Sequence, residues 1–343
     1  MEQYAGLDVS LDSASVCIVD AQGKIVKEAK VACEPEVLIA WFAAHGTPMA
    51  RIGLEAGPLS QGLFAGLKAA GLLVELLETR HARAAFKAMP VKTDRTDARG
   101  IAQLMRLGWF RPVHCKSTPA QEVRAVLVAR KQLQAKMRDV ELSLRGLLRG
   151  FGLKVGEISK GQFAARVRTL VAGHTMLERI AEAMLQAREA LRVEFGKLHK
   201  AMLAIVRADA VCRRLMTVPG VGALVAVTFT SGVDAPERFA RSKGVGAHFG
   251  LTPRKHQSGE TDITGAVSRV GNAMVRTALY EAAHILLTRA VRFSALKRWA
   301  LEVAKRRGMK RAKVALARKL AVLLHRMWVD GTIFRWGREA AAA

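Results

Sequence analysis

The amino-acid sequence predicts an α/β layer at the front of the chain, followed by two mainly helical segments. Three observations carry that expectation. Short strand-like runs separated by turns dominate the first eighty residues. From Ala120 onward leucines recur at helical spacing, and net positive charge accumulates toward the C-terminus.

The elements follow in order. Tyr4–Ser10 has the pattern of a short buried strand, Ser15–Asp20 of a second, and Lys24–Val31 of a third beyond the turn Ala21-Gln22-Gly23. Glu36–Ala44 reads as a helix and Arg51–Glu55 as a strand. Leu59–Ala70 is again helical, and Leu73–Leu77 is a fifth strand. Three hairpin-connected strands and then alternating helix and strand describe an α/β layer of the ribonuclease H type. Doubly wound nucleotide-binding folds alternate from the start, and no Gly-x-Gly-x-x-Gly turn follows the first strand.

Between Ala120 and Ala210, Leu127, Leu133, Met137, Leu144 and Leu148 lie near helical spacing. A glycine-containing break from Gly150 to Gly161 precedes a second stretch through Leu170, Leu177, Ile180, Met184, Leu191 and Leu198. This predicts an antiparallel helical arm or coiled coil, serving dimerisation or nucleic-acid bracing, or else an ordinary helical subdomain. The last third opens with Leu215-Met216-Thr217-Val218-Pro219-Gly220-Val221-Gly222, a helix-hairpin-helix-like pattern. Gly220 and Gly222 could let backbone N–H groups approach a phosphate at a helix start, or form a plain turn. Lys297–Lys319 holds ten basic residues and one acidic. It is expected to be a basic amphipathic helix whose Lys310, Arg311 and Lys313 suit a nucleic-acid backbone. The expected segments are 1–115 (α/β), 116–210 (arm), 211–335 (helical C-terminal domain) and a tail, 336–343.

Composition narrows the function. Of 343 residues half are apolar, which excludes wholesale disorder, and 55 Lys and Arg against 29 Asp and Glu leave a net charge of +26. Residues 1–120 carry 14 basic and 12 acidic side chains, 121–210 carry 17 and 9, and 211–343 carry 24 and 8. Chemistry at the front and a grip on a polyanion behind it fit that gradient, because cations meeting phosphates release counterions. Cys17, Cys33, Cys115 and Cys212 form no paired metal or redox motif. Met1-Glu2-Gln3 lacks the order of a signal peptide, and the longest apolar run, Val218–Phe229, is too short to span a bilayer. A cytoplasmic protein without a membrane partner is expected, associated with the nucleoid when acting.

Four acidic residues stand out by placement. Asp8 lies in the first strand, where an unpaired charge is costly. Glu55 ends the fourth strand, before Ala56-Gly57-Pro58. Asp94 and Asp97 sit in Lys92-Thr93-Asp94-Arg95-Thr96-Asp97-Ala98-Arg99, which opens a helix running to Leu107, on one helical face near its positive dipole end. Each alone could cap a helix or serve a turn. Together they suit two Mg²⁺ ions about 4 Å apart, the arrangement that stabilises both oxygens of a phosphodiester displacement.

Gly6-Leu7-Asp8-Val9-Ser10, Leu54-Glu55-Ala56-Gly57, Lys92–Ala98, Val218–Gly222, Gly250-Leu251-Thr252-Pro253 with Ser258-Gly259, and Arg269-Val270-Gly271-Asn272 occur together in one chain. The set resembles the DEDD-type insertion-sequence transposases, relatives of the Piv-type DNA invertases, whose mobile-element members are bridge-RNA-guided recombinases. The resemblance runs from residue 6 to about residue 330. It implies a RuvC-type N-terminal domain, a coiled-coil arm and a C-terminal transposase domain. It also implies Asp8, Glu55, Asp94 and Asp97 as the Mg²⁺-binding tetrad, and Ser258 as a nucleophile that becomes linked to a DNA strand. Arg254, Lys255 and His256, in a stretch that reads as a polar loop, would steady the phosphate. The implied partners are donor and target DNA, a non-coding bridge RNA, and copies of the same chain as a dimer assembling to a tetramer. A metal-dependent nuclease or junction resolvase with water as nucleophile, and an RNA-independent DNA invertase, are the alternatives.

Overall fold

The structure, a computed structural model, describes residues 2–87 and 91–336; the end of the expected tail lies outside them. The chain divides after Lys116 into two compact units.

The first unit is built on a five-stranded sheet. Its strands are β1 (Gln3–Val9), β2 (Ser13–Asp20), β3 (Ile25–Ala32), β4 (Met49–Glu55) and β5 (Val74–Leu77), in the spatial order β3-β2-β1-β4-β5. The β1–β2 and β2–β3 pairs are antiparallel, whereas β1–β4 and β4–β5 are parallel. Helices α1 (Pro35–His45), α2 (Ser60–Ala69), α3 (Thr79–Phe86) and α4 (Asp94–Leu107) complete the unit. That strand order and sense are ribonuclease H-like, as expected.

Strand periodicity sorts the side chains between two cores. Ala5, Leu7, Val16, Ile18, Ile52 and Leu54 pack with Leu38 and Phe42 of α1 and Leu63 and Leu67 of α2. On the opposite face Tyr4, Cys17, Val19 and Leu77 pack with Ala98, Ile101, Ala102 and Met105 of α4. Asp20, which ends β2, holds the turn after it by accepting hydrogen bonds from the backbone N–H groups of Gln22 and Lys24.

The second unit begins with α5 (Thr118–Gly150), α6 (Phe163–Val171) and α7 (Thr175–Ala208). Leu144 and Leu148 near the end of α5 meet Leu177, Ala181 and Leu185 near the start of α7, while Leu127 meets Met202 and Val206, so the two long helices run antiparallel. An ion pair between buried Arg188 and half-buried Glu141, at 2.7 Å, ties them together. The expected break, 150–161, holds no helix of its own among the described residues, but the helical stretch expected after it is two helices, α6 and α7. Phe163, Val167 and Val171 of α6 close the far end of the arm. The near end shares its core with the helices that follow, so segments 116–210 and 211–335 form one unit.

Those helices are α8 (Ala210–Leu215), α9 (Ala223–Val233), α10 (Lys243–His248), α11 (Ala273–Thr288), α12 (Ala295–Arg307) and α13 (Met309–Val329). The apolar run Val218–Phe229 supplies α9, buried from Val225 to Val233. Among the described residues no helix is long and apolar enough to cross a membrane.

Two expectations are corrected here. The basic stretch Lys297–Lys319 is two helices, parted at Gly308, whose positive φ of 79° closes α12 with an N–H bond to the Ala304 carbonyl. The segment read as a polar loop is an antiparallel hairpin, β6 (Pro253–Ser258) and β7 (Thr261–Val267), turned by Gly259-Glu260 with Gly259 at φ 55°.

Candidate active site

The carboxylates expected to act together are positioned by the first sheet. Leu7 of β1 lies opposite Leu54 of β4, so Asp8 and Glu55 are the next residues of two adjacent parallel strands, at their C-terminal ends. Both belong to the face that α4 covers, because Leu7 and Leu54 occupy the other core. Two residues before each carboxylate stands a glycine, and Gly6 and Gly53 are register partners. A Cβ at Gly6 would lie 2.2 Å from the Ala98 carbonyl oxygen and 2.4 Å from the Ala102 nitrogen, and one at Gly53 would press into Met105 and Ile101. The glycine pair therefore lets the backbone of α4 lie against the sheet.

The start of α4 is fixed by a capping box. Thr93 accepts from the Thr96 N–H, and Thr96 Oγ1 accepts from the Thr93 N–H at 2.8 Å. Asp94 and Asp97 fall in the first turn, Asp94 exposed and Asp97 half-buried. Glu28 of β3 braces the same turn, accepting from Arg99 Nε at 2.6 Å and from Arg95 Nε at 2.8 Å. Those bonds from Arg99 and Arg95 hold its carboxyl at about 2.

Asp8 and Glu55 are perturbed by their surroundings. Burial, followed by the charges of Asp97 and Asp94, raises Asp8 to about 6, while Lys92 opposes the rise. Glu55 is raised by burial and by Asp8 and Asp97, against Arg83 and Lys92. Hard oxygen donors crowded against each other fit a Mg²⁺-like cation. Among the described residues no three His, Cys, Asp or Glu side chains already converge on one point, so a cation would draw these groups closer. Sequence reasoning overlooked Gly6, Gly53, Glu28 and Arg83. The repeated Gly-Leu-acid triplets at 6–8 and 53–55 were the readable signal for the glycines.

Ser258 lies in the second unit. It closes the hairpin, paired with Thr261, and its hydroxyl has no hydrogen bond among the described residues. Apart from half-buried Val267, every residue of the two strands is exposed. Strand alternation puts His256 and Ser258 on one face, with Ile263 and Thr261 opposite them, and Lys255 on the other. Lys255 pairs with Asp262 at 3.1 Å, and Arg254 reaches the Ser268 carbonyl at 3.4 Å. The expected trio is thus divided: only His256 shares the serine's face without another bond. The hairpin's base is tightly built. A Cβ at Gly250 would strike the Val270 nitrogen at 2.3 Å, one at Gly271 the His248 oxygen at 2.2 Å, and Asn272 caps α11.

Gly220 is explained by packing: its φ is 86°, and a Cβ there would meet the Ala282 oxygen at 2.4 Å. Gly222 stands exposed at the N-terminus of α9. Lys310, Arg311 and Lys313 open α13, where the positive end of the helix dipole disfavours cations, and none has an ion-pair partner among the described residues. An anionic partner would relieve that cost.

Comparison with known proteins bears on both units. Residues 5–152 match the DEDD transposase family of IS110, and residues 212–298 match the family described as Transposase IS116/IS110/IS902. The chain belongs to the IS110/IS116 family of DEDD transposases. The transposase for insertion sequence element IS1111A of Coxiella burnetii is 27% identical over 339 residues, covering 97% of this chain and 91% of that one. A Pseudomonas aeruginosa protein named "Probable family 20 transposase" is 27% identical over 252 residues, 72% of this chain and 75% of that one. A solved structure, T. thermophilus RuvC in complex with Holliday junction substrate, covers 33% of this chain and 100% of its own at 13% identity and a TM-score of 0.27. That likeness is too slight to argue from, and the ribonuclease H-like assignment rests on the strand order. As a DNA transposase, the chain is an enzyme of strand cleavage and rejoining.

Proposed function

We propose that Asp8, Glu55, Asp94 and Asp97 hold divalent metal, Mg²⁺, and that this site cuts and rejoins DNA of an insertion sequence. The observation that supports the reading is that Asp8 and Glu55 end adjacent parallel strands on the face covered by α4, whose first turn carries Asp94 and Asp97. When bound, the metal would neutralise charge developing on the phosphate. The chain's own part is to keep the donors in place. The strands set Asp8 beside Glu55, the glycine pair admits α4, and Glu28 and the capping box hold its first turn. Mg²⁺-dependent cleavage of DNA from the element's ends, lost in Asp97→Asn, tests this; wild-type cleavage in chelator would refute it.

The finer reading makes Ser258 the nucleophile. Its Oγ would bond to phosphorus as the bond to a deoxyribose oxygen breaks, the serine proton leaving and that oxygen gaining one. The resulting ester keeps the phosphodiester energy, so the freed hydroxyl of the exchanged strand can reverse the step without ATP. The family resemblance and the exposed, unbonded hydroxyl favour this role. A DEDD carboxylate set is also sufficient for attack by water, so the two readings must be separated by experiment. With water as nucleophile, Ser258→Ala cleaves normally and wild type forms no protein–DNA adduct; with serine, wild type forms the adduct and Ser258→Ala loses both adduct and cleavage.

The remaining proposals concern partners. The basic second unit would grip donor and target DNA through Gly222, Lys310, Arg311 and Lys313, and a flank-encoded bridge RNA would supply the sequence reading by base pairing. Copies would assemble through the arm as a dimer and then a tetramer, acting at the nucleoid in the cytoplasm. Sequencing the RNA that purifies with the protein tests guidance: one discrete flanking transcript supports it, and a smear of cellular RNA contradicts it.

A further inference from the structure

The row of residues that holds two of the carboxylates continues beyond them. Asp8 is the register partner of Ser15 on β2, and Ser15 is the partner of Lys30 on β3. Directly paired residues share a face, so Glu55, Asp8, Ser15 and Lys30 form one line across the sheet on the side of α4. One step along the strands, the parallel line Gly53, Gly6, Cys17 and Glu28 lies beneath the helix.

Between the outer part of this line and the first turn of α4 is an open cleft of about 500 Å³. Ser15 and Lys30 line it from the sheet, Thr93, Asp94 and Arg95 from the helix, and Glu28 from between them. Its chemistry is that of an anion site. The single negative charge of Glu28 is shared by Arg95 and Arg99, which leaves that cluster positive. Among the described residues Lys30 has no ion-pair partner, and the Ser15 hydroxyl has no hydrogen bond. Among the described residues no aromatic ring lines the cleft, which argues against a stacking site for a base. Asp94, a candidate metal ligand, forms its boundary toward the carboxylates.

We propose that this cleft is a subsite for a backbone phosphate of the DNA strand, next to the phosphate that is cut. Lys30 is its cation, Ser15 is a hydroxyl donor, and Arg95, braced by Glu28, is its rim. Such a contact fixes the register of the strand without reading a base. It rests on the reading of the four carboxylates as the cutting site and adds a positioning residue, Lys30, to it.

Lysine acetylation followed by mass spectrometry tests the subsite in the full-length protein. The probe is duplex DNA from the element's ends, with Ca²⁺ replacing Mg²⁺ to prevent cutting. Lys27, on the same strand and seated over the Trp41 ring at 4.9 Å, is the internal control. DNA should slow modification of Lys30 several-fold and leave Lys27 unchanged. Lys30→Gln should weaken DNA binding about tenfold, as loss of one charge-assisted bond would, and Lys30→Arg should restore it. Equal modification of Lys30 with and without DNA would overturn the proposal, and so would protection by an RNA oligonucleotide but not by DNA. Protection of Lys30 by DNA in a protein that never cuts with Mg²⁺ would leave the cleft standing and remove the reading of the carboxylates.

Discussion

Replacing Asp8 by asparagine should make the metal-free protein more stable while abolishing its chemistry. Asp8 is a half-buried carboxylate raised from 3.8 to about 6 by burial and by its acidic neighbours, with Lys92 only partly offsetting them. A folded-state value above the unfolded one means that the protonated form is favoured. The associated stability is complete below about pH 4 and is lost as pH rises through about 6. At pH 8 wild type therefore carries a penalty that asparagine, of the same shape and uncharged, does not. The full shift corresponds to about 3 kcal/mol, and solvent screening of a half-buried group reduces it to about 1–2 kcal/mol. For a unit of this size that is roughly 4–8 °C in the first unit's transition. The assay is thermal unfolding of wild type and Asp8→Asn in chelator at pH 8 and at pH 5, then at pH 8 with Mg²⁺. The variant should melt higher at pH 8, the gap should shrink to about half at pH 5 on its way to closing below about pH 4, and Mg²⁺ should stabilise wild type alone. An equal or lower melting temperature for the variant at pH 8, or a gap unchanged at pH 5, would refute the reasoning.

Other consequences separate the devices that build the site. Gly6→Ala should cost more than about 3 kcal/mol, because its Cβ meets helix backbone. Gly53→Ala should cost only about 1–2 kcal/mol, because Met105 can move; urea unfolding compares them. Glu28→Gln should destabilise the first unit by about 1–3 kcal/mol at neutral pH, as two charge-assisted contacts weaken. Since its carboxyl is held at about 2, the loss should persist down to about pH 4 and vanish only below about pH 2, as unfolding in a pH series would show. Lys255→Ala should leave strand cleavage within about twofold of wild type, since its side chain lies on the hairpin face away from Ser258 and pairs with Asp262.

Much of the first unit was legible because its strands are short apolar runs bounded by turn residues. Tyr4–Leu7 is buried on both faces of the sheet, and that run delimits β1 to within a residue or two. The capping box at Thr93 marks the start of α4. The hairpin 253–267 was illegible for the converse reason: neither face is buried, so no apolar period exists to read, and its polar residues resemble a loop. Helix α3 escaped notice because only Ala82 in it is buried. The division at Gly308 was hidden by a basic run continuous across it. Each of the four carboxylates could be placed on its element from local pattern, whereas the cooperation of Asp8 with Glu55 depends on strand order. Ser258 came from resemblance alone, since an exposed turn serine carries no local mark of chemistry.

The most direct test of the central claim is to measure Mn²⁺ bound to the full-length protein on DNA from the element's ends, by electron paramagnetic resonance, in wild type and in Asp97→Asn. Loss of bound Mn²⁺ in the variant, with DNA affinity retained, is the result expected if the carboxylates of β1, β4 and α4 are the metal site. Equal Mn²⁺ binding by both proteins would contradict it.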